Sequence, residues 1–360
     1  MVMKAKNKSE EKKVEKIKVT TLLYGIGAFI LTLLLIGIIF IYRFNNPNKI
    51  PNYIYNRVFF PAVAIEGTNF ISIGSINQNL MSIRRFYENQ DFSSLGLRFD
   101  FNTDDGKKRL KIREKELINK MIEDSAVEIL AQERGINISK KTVKDNVDRK
   151  MDEYGNREIV GENLDNLYDW TIDDFKDKIV RPSLYKDALE KWLAENEGKE
   201  KNDKAKKTAQ NTLEKLKQKG DFEKIAQEIS EGGTADTGGK LGWFREDQVS
   251  LEIKDSVIDI EKGKFSDVLE SKMGYHIIKV DNTREIDGKK AYEISQIFFP
   301  KVSFANWLDG KIKDMKISVL LADYQWDKEK GFVRFKDKNM EKFEEESLKR
   351  AEKDASLIAL

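Results

Sequence analysis

The chain of 360 residues contains no cysteine and only one histidine, His276. The first absence excludes disulfide scaffolds, thiolate metal sites and cysteine nucleophiles. The second excludes zinc and iron sites built on several imidazoles. Five prolines and 22 glycines are too few for a fibrous or disordered protein. Nor is there an excess of one charge: 64 basic against 62 acidic residues leave a net charge of +2. A nucleic-acid footprint needs Lys and Arg concentrated on one face, so nucleic acid is not an expected partner.

What is present is one long apolar run. No charged residue lies between Lys18 and Arg43, and Leu22 to Tyr42 is almost wholly apolar. About 20 helical residues cross a hydrocarbon core of about 30 Å. Seven lysines precede the run, among them Lys12, Lys13, Lys16 and Lys18. Because basic residues stay on the cytoplasmic side, the N-terminus is expected inside and the rest outside. A cleaved signal peptide would have a shorter apolar region and a small-x-small site, which Ile41-Tyr42-Arg43-Phe44 does not offer. The expectation is an uncleaved, single-pass anchor at 19–42 behind a basic tail at 1–18.

Beyond the anchor, 44–75 reads as an extended entry with Pro51 and Pro61. Helical spacing then dominates. Leu110, Leu117, Ile118, Met121, Ile122, Val127 and Leu130 fall on one stripe, with Gly135 placed to end the helix. Ser139 can cap the next helix, and Thr171 with Asp174 forms a capping-box pattern before Phe175. Pro182 breaks that helix or starts another bearing Leu189, Trp192 and Leu193. A charged stretch at 195–207 reads as a linker or an exposed first helical turn. After it the pattern changes: two short helices at about 204–218 and 221–229, a glycine-rich loop, then alternation at Leu241–Arg245, Phe265–Leu269, Tyr275–Val280 and Tyr292–Phe299. A helix with Phe304, Trp307 and Leu308, an apolar strand Ile317–Leu321 and a charged, solvated helix close the chain. The fold class is α+β, a helical region followed by a small antiparallel sheet flanked by helices.

The most informative residues are Gly238-Gly239-Lys240-Leu241-Gly242-Trp243-Phe244 and Met273-Gly274-Tyr275-His276-Ile277-Ile278-Lys279-Val280. Together with Gly220-Asp221-Phe222-Glu223-Lys224-Ile225-Ala226 and Gly263-Lys264-Phe265-Ser266, this pattern closely resembles the parvulin (PpiC-type) peptidyl-prolyl isomerase domain over about 204–281. The family's opening strand is missing before Lys204. A strand-like Ala291-Tyr292-Glu293-Ile294-Ser295-Gln296-Ile297-Phe298-Phe299 instead follows the last family strand, across the hairpin signal Asp287-Gly288. A circular permutation is expected, with the first strand at 291–299. The alternative is an unrelated extension and a sheet lacking one strand. Residues 43–199 are similar, in element order and in Ala131-Gln132-Glu133-Arg134-Gly135-Ile136, to the helical N-terminal domain of SurA-type chaperones. The domains implied are 43–199 (SurA-N-like), 200–300 (parvulin-like) and 301–360 (C-terminal extension), broadly the plan of PpiD- and PrsA-type foldases.

The resemblance implies prolyl isomerisation without a cofactor or metal. Its partners would be unfolded or nascent exported polypeptides with X-Pro bonds, and the bilayer through 19–42. His276 matches the family's C-terminal histidine, and strand alternation puts it on a face with Ile278 and Val280. Two readings of it stand: part of the polar network under a proline pocket, or a core histidine satisfied by a neighbour. Gln296 falls where the other family histidine would be and can replace it in a hydrogen bond to His276. Leu241, Phe244, Val249, Ile253 and Met273 take the substrate-binding positions. The pocket Met and Phe of the family become Val249 and Ile253, and its Cys or Asp becomes Gly232. These departures leave three readings open: an active isomerase, a non-catalytic holdase with a degenerate parvulin domain, and a structural partner in a membrane complex.

Overall fold

The computed structural model describes residues 58–90, 99–154, 157–218, 220–286 and 288–353, with Ala28, Phe29, Leu31, Thr32, Leu33, Ile36, Gly37, Ile39 and Tyr42 of the apolar run. Those nine positions are helical. Among the described residues no helix is long and apolar enough to cross a membrane. Most of the expected anchor at 19–42, the tail at 1–18 and the entry at 44–57 lie outside the described residues.

Strands β1 (Pro61–Ile65) and β2 (Asn69–Ser72) form a hairpin. Then come α1 (Ile73–Asn89), the 30-residue α2 (Asp104–Glu133), α3 (Lys140–Tyr154) and α4 (Arg157–Tyr168). Gly135 at φ +75° follows the last turn of α2, the left-handed position glycine occupies without cost. Thr171 and Asp174 make the expected reciprocal capping box at α5 (Ile172–Phe175). A π turn leads into α6 (Arg181–Glu195), and Pro182 sits in its first turn, where no backbone N–H is needed.

The next stretch has its own cores. Helix α7 (Lys199–Lys217) starts earlier than the charge run suggests. Its lysines point outward while Ala205, Ala209, Leu213 and Leu216 are buried. With α8 (Phe222–Ile229) it covers one face of a four-stranded antiparallel sheet. The sheet comprises β3 (Lys240–Arg245), β4 (Leu269–Glu270), β5 (Gly274–Ile286) and β6 (Lys289–Pro300), with α9 (Lys254–Ile258) between β3 and β4. The order is β3-β6-β5-β4, so β6, last in the chain, is a central strand. It pairs with β5 as a long hairpin and with β3 on its other side. The strand expected at 291–299 is thus present in the sheet, between β3 and β5. The expected strand at Phe265–Leu269 is shorter: Phe265 makes only an isolated bridge to Lys279.

Helix α10 (Phe304–Asp314), β7 (Ile317–Val319), the hairpin β8 (Tyr324–Asp327) and β9 (Phe332–Phe335), and α11 (Lys338–Lys353) return to the N-terminal helices. Strand β7 pairs with β1, and one core holds Ile65, Ile73, Ile118, Leu189, Leu308 and Phe335. The last helix is not the solvated one expected. Met340 and Phe343 pack on this core, and Glu344 forms a largely buried ion pair with Lys115. The two chain crossings between body and sheet meet at the buried Asn202. Its Oδ1 accepts from Val302 N at 2.8 Å, and its Nδ2 donates to Ala194 O at 3.3 Å.

Candidate functional site

The alternation of β5 puts Tyr275 and Ile277 against α7 and α8, and His276, Ile278 and Val280 on the opposite face. In β6, His276 stands opposite Phe298 and Ile278 opposite Gln296. The imidazole is 7% exposed, with its ring 4.8 Å from that of Phe298. Nδ1 lies 3.1 Å from Gln296 Oε1, and Nε2 lies 2.7 Å from Ser271 Oγ. The expected His276–Gln296 hydrogen bond is present.

Ser271 was not identified from the sequence, and its hydroxyl meets the ring at Nε2. Its Oγ accepts from Met273 N at 3.1 Å and from Gly274 N at 3.4 Å. Those contacts use its lone pairs, and of the two acceptors within reach of the hydroxyl proton, Nε2 at 2.7 Å is far closer than Gly274 O at 3.5 Å. Nδ1 then carries the ring proton and donates to the amide oxygen of Gln296. The signal available in the sequence was a lone serine five positions before His276, in the turn between two strands. A turn of that length brings its hydroxyl back beside the ring.

The apolar part of the site is only partly assembled. Phe244, Val249 and Ile253 pack against Val257, Ile278, Val280, Tyr292 and Ile294, on the same face as His276. Leu241 does not join them. Lys240 pairs with Ser295 and Gly242 with Ile294, so Leu241 is the extra residue of a bulge and is 38% exposed. Met273 stands free at the rim, 74% exposed. Beyond Met273 and Phe298 opens a cleft of about 980 Å³, whose far wall is Ile122, Phe304, Leu308, Ile312, Trp326 and Phe332 of the body. Among the described residues no group of three or more His, Cys, Asp and Glu could hold a metal ion.

Burial lowers the His276 pKa below its ordinary value, a nearby Lys301 adding to this and Gln296 and Glu252 opposing it. A folded-state pKa below the unfolded one means that the unfolded chain takes up the proton first. The stability this represents is present above about pH 6.5 and declines as the pH falls toward the folded-state value. We expect the urea midpoint of the wild type to fall over that range more than that of His276→Gln, which keeps a polar side chain without the titration. Parallel pH profiles for the two proteins would refute this.

Comparisons with known proteins point to the same family as the motifs. A family model described as the PPIC-type PPIase domain matches residues 188–284. The foldase protein PrsA of Geobacillus kaustophilus is 27% identical over 225 residues, covering 52% of this chain and 80% of that protein. The chaperone SurA of Hydrogenovibrio crunogenus is 34% identical over 121 residues, 32% of this chain but only 27% of its own length. Among solved structures, the foldase PrsA of Lactococcus lactis aligns over 79% of this chain and 98% of its own, at 15% identity and a TM-score of 0.28. The family match ends before β6, the strand that completes the sheet beside β3 and β5. With the motifs and the match in agreement, the chain contains a PpiC-type parvulin domain, and its wider plan is similar to that of PrsA and SurA proteins.

Proposed function

We propose that this protein is a membrane-anchored, extracytoplasmic prolyl isomerase that assists the folding of exported polypeptides. The observation that carries the reading is the chain Ser271–His276–Gln296, its first two members buried and Gln296 half-buried, on the sheet face that bears the apolar patch of Phe244, Val249 and Ile253. Rotation of an X-Pro amide faces a barrier of about 18–20 kcal/mol because conjugation is lost in the twisted form. No covalent step is needed. A site that binds the twisted amide better than either planar form lowers the barrier by that difference. A thousandfold acceleration requires about 4 kcal/mol. In this role Val249 and Ile253, with Phe244, take the pyrrolidine ring, Met273 closes over it from the rim while Leu241, turned out by the bulge, stays apart, and His276 holds the amide of Gln296, which offers the polar contact to the rotating bond.

The anchor reading is supported by the apolar run at 19–42 and the lysines before it; on that reading the domains proposed at 43–199, 200–300 and 301–360 lie outside the cytoplasm. Exchange NMR on a short X-Pro peptide with the whole chain in detergent tests the activity. Faster cis/trans exchange is expected, reduced at least tenfold in His276→Ala. No acceleration by a folded wild-type protein overturns the proposal.

A second reading is favoured by one observation. The cleft beyond Met273 has an apolar wall on the body, bordered by charged side chains such as Lys120, Glu123, Lys186 and Glu190, and is roomy enough for an extended polypeptide segment. On that reading the protein holds unfolded clients, and the parvulin sheet serves as one wall. Suppression of client aggregation undiminished in His276→Ala would support it.

A further inference from the structure

The loop that carries Ser271 is held from outside the sheet. Its far side is tied by Glu252, whose Oε2 accepts from Lys272 N at 2.8 Å. Its near side is tied by Lys301, the first residue after β6. The Lys301 backbone N–H donates to Met273 O at 3.0 Å, and its Nζ donates to Ser271 O at 2.8 Å. The same ammonium pairs with Glu270 at 2.7 Å and lies 5.1 Å from the centre of the Tyr275 ring. One residue thus engages four of the six positions from Glu270 to Tyr275. Its side chain is only 17% exposed.

Lys301 is also where the sheet is seated on the helical body. The next residue, Val302, binds Asn202, and its side chain fills the space a side chain at Gly198 would need. Lys301 lines both the large cleft and a smaller crevice beside α6. A group so placed transmits any shift of the seat, or occupation of the cleft, to the Ser271 carbonyl, and through its hydroxyl to Nε2 of His276.

We propose that Lys301 is a positioning residue of the proline site, holding Ser271 against His276 and coupling that contact to the seating of the sheet on the helical body. This rests on the isomerase reading for its consequence but not for its geometry. Lys301 touches neither the ring nor the proline face, so it acts through Ser271.

The sole histidine makes the test direct, because the whole chain in detergent has one imidazole signal. The charged groups facing the ring are Glu252 and Lys301, with Glu270 paired to the latter. In Lys301→Met the imidazole resonances should shift and their titration midpoint should rise. Exchange of a saturating X-Pro peptide should fall by about tenfold, with its apparent affinity unchanged. Lys301→Arg, which keeps charge and donors, should restore both. Should Lys301→Met fail to fold, Glu270→Gln, which frees the ammonium from its carboxylate, should move the same resonances by a smaller amount. A wild-type titration midpoint and exchange rate in folded Lys301→Met would overturn the proposal. If the wild type itself shows no exchange, the isomerase reading fails, and the imidazole titration alone decides the role of Lys301.

Discussion

Replacing Gly239 by alanine is expected to destabilise the sheet by about 3 kcal/mol or more, a large share of the roughly 5–15 kcal/mol that holds a typical domain folded. Two costs combine. Gly239 has φ +81°, a region in which a side chain is strained. A Cβ there would also stand 2.3 Å from the carbonyl oxygen of Gln296 and about as close as 3.1 Å to its carbon, both backbone atoms that cannot swing aside. Gln296 N donates to Gly239 O at 2.8 Å, so the glycine is fastened to the strand position that supports the imidazole. Denaturation by urea measures the loss, and the His276 signal should move in whatever fraction remains folded. Gly233→Ala, where a Cβ meets nothing within 4 Å, is the control. Equal stability of Gly239→Ala and the control would contradict the close approach described here.

The second large effect is a gain. Gly232→Asp combined with Gln296→His should speed X-Pro exchange by about tenfold, a difference of about 1.4 kcal/mol in the barrier. Both changes return the residue type typical of parvulins. A Cβ at Gly232 would meet Phe298 Cβ and Ser230 Oγ at 3.4 Å and Gln296 Nε2 at 3.9 Å, ordinary contact distances. The space is therefore open, and it faces the group at position 296. A carboxylate there extends the polar chain Ser271–His276–296 by one charged member, and hydrogen bonds to charged groups are worth more than neutral ones. The full chain with each single change and with both, compared by exchange NMR, gives the answer. A folded double variant no faster than wild type would mean that the narrowed apolar slot, rather than the polar chain, limits the rate.

Local signals made much of the sheet legible. Strict alternation in 274–280 and 291–299, with Asp287-Gly288 between, identified a hairpin whose partners then lie at predictable depth, and Gly288 has the positive φ such a turn demands. The capping box at Thr171 and the glycine after α2 were equally local. What escaped depends on distant partners. The hairpin of β8 and β9 looked like part of a charged tail, because Tyr324, Val333 and Phe335 are few among charged neighbours and are buried only by α2 and its surroundings. The docking of α11 rests on Met340, Phe343 and one carboxylate against a lysine more than two hundred positions earlier. Ser271 escaped for a different reason: a serine in a turn is common, and only the returning chain shows which group its hydroxyl meets. Leu241 had the right neighbours in sequence, but a bulge, invisible to a period-two pattern, turned it away.

The pairing of β1 with β7 has a consequence for biogenesis. Glu66 and Lys316 are hydrogen-bonded although 250 positions separate them, while the sheet bearing His276 is made from contiguous chain. Contacts that close short stretches form early, and those that close long ones wait. As the polypeptide emerges vectorially, the parvulin sheet can ripen while the body around it is still open, its first hairpin lacking the strand that completes it. Truncation before Ile317 should therefore spare the imidazole's surroundings yet leave the N-terminal helices without their final partner.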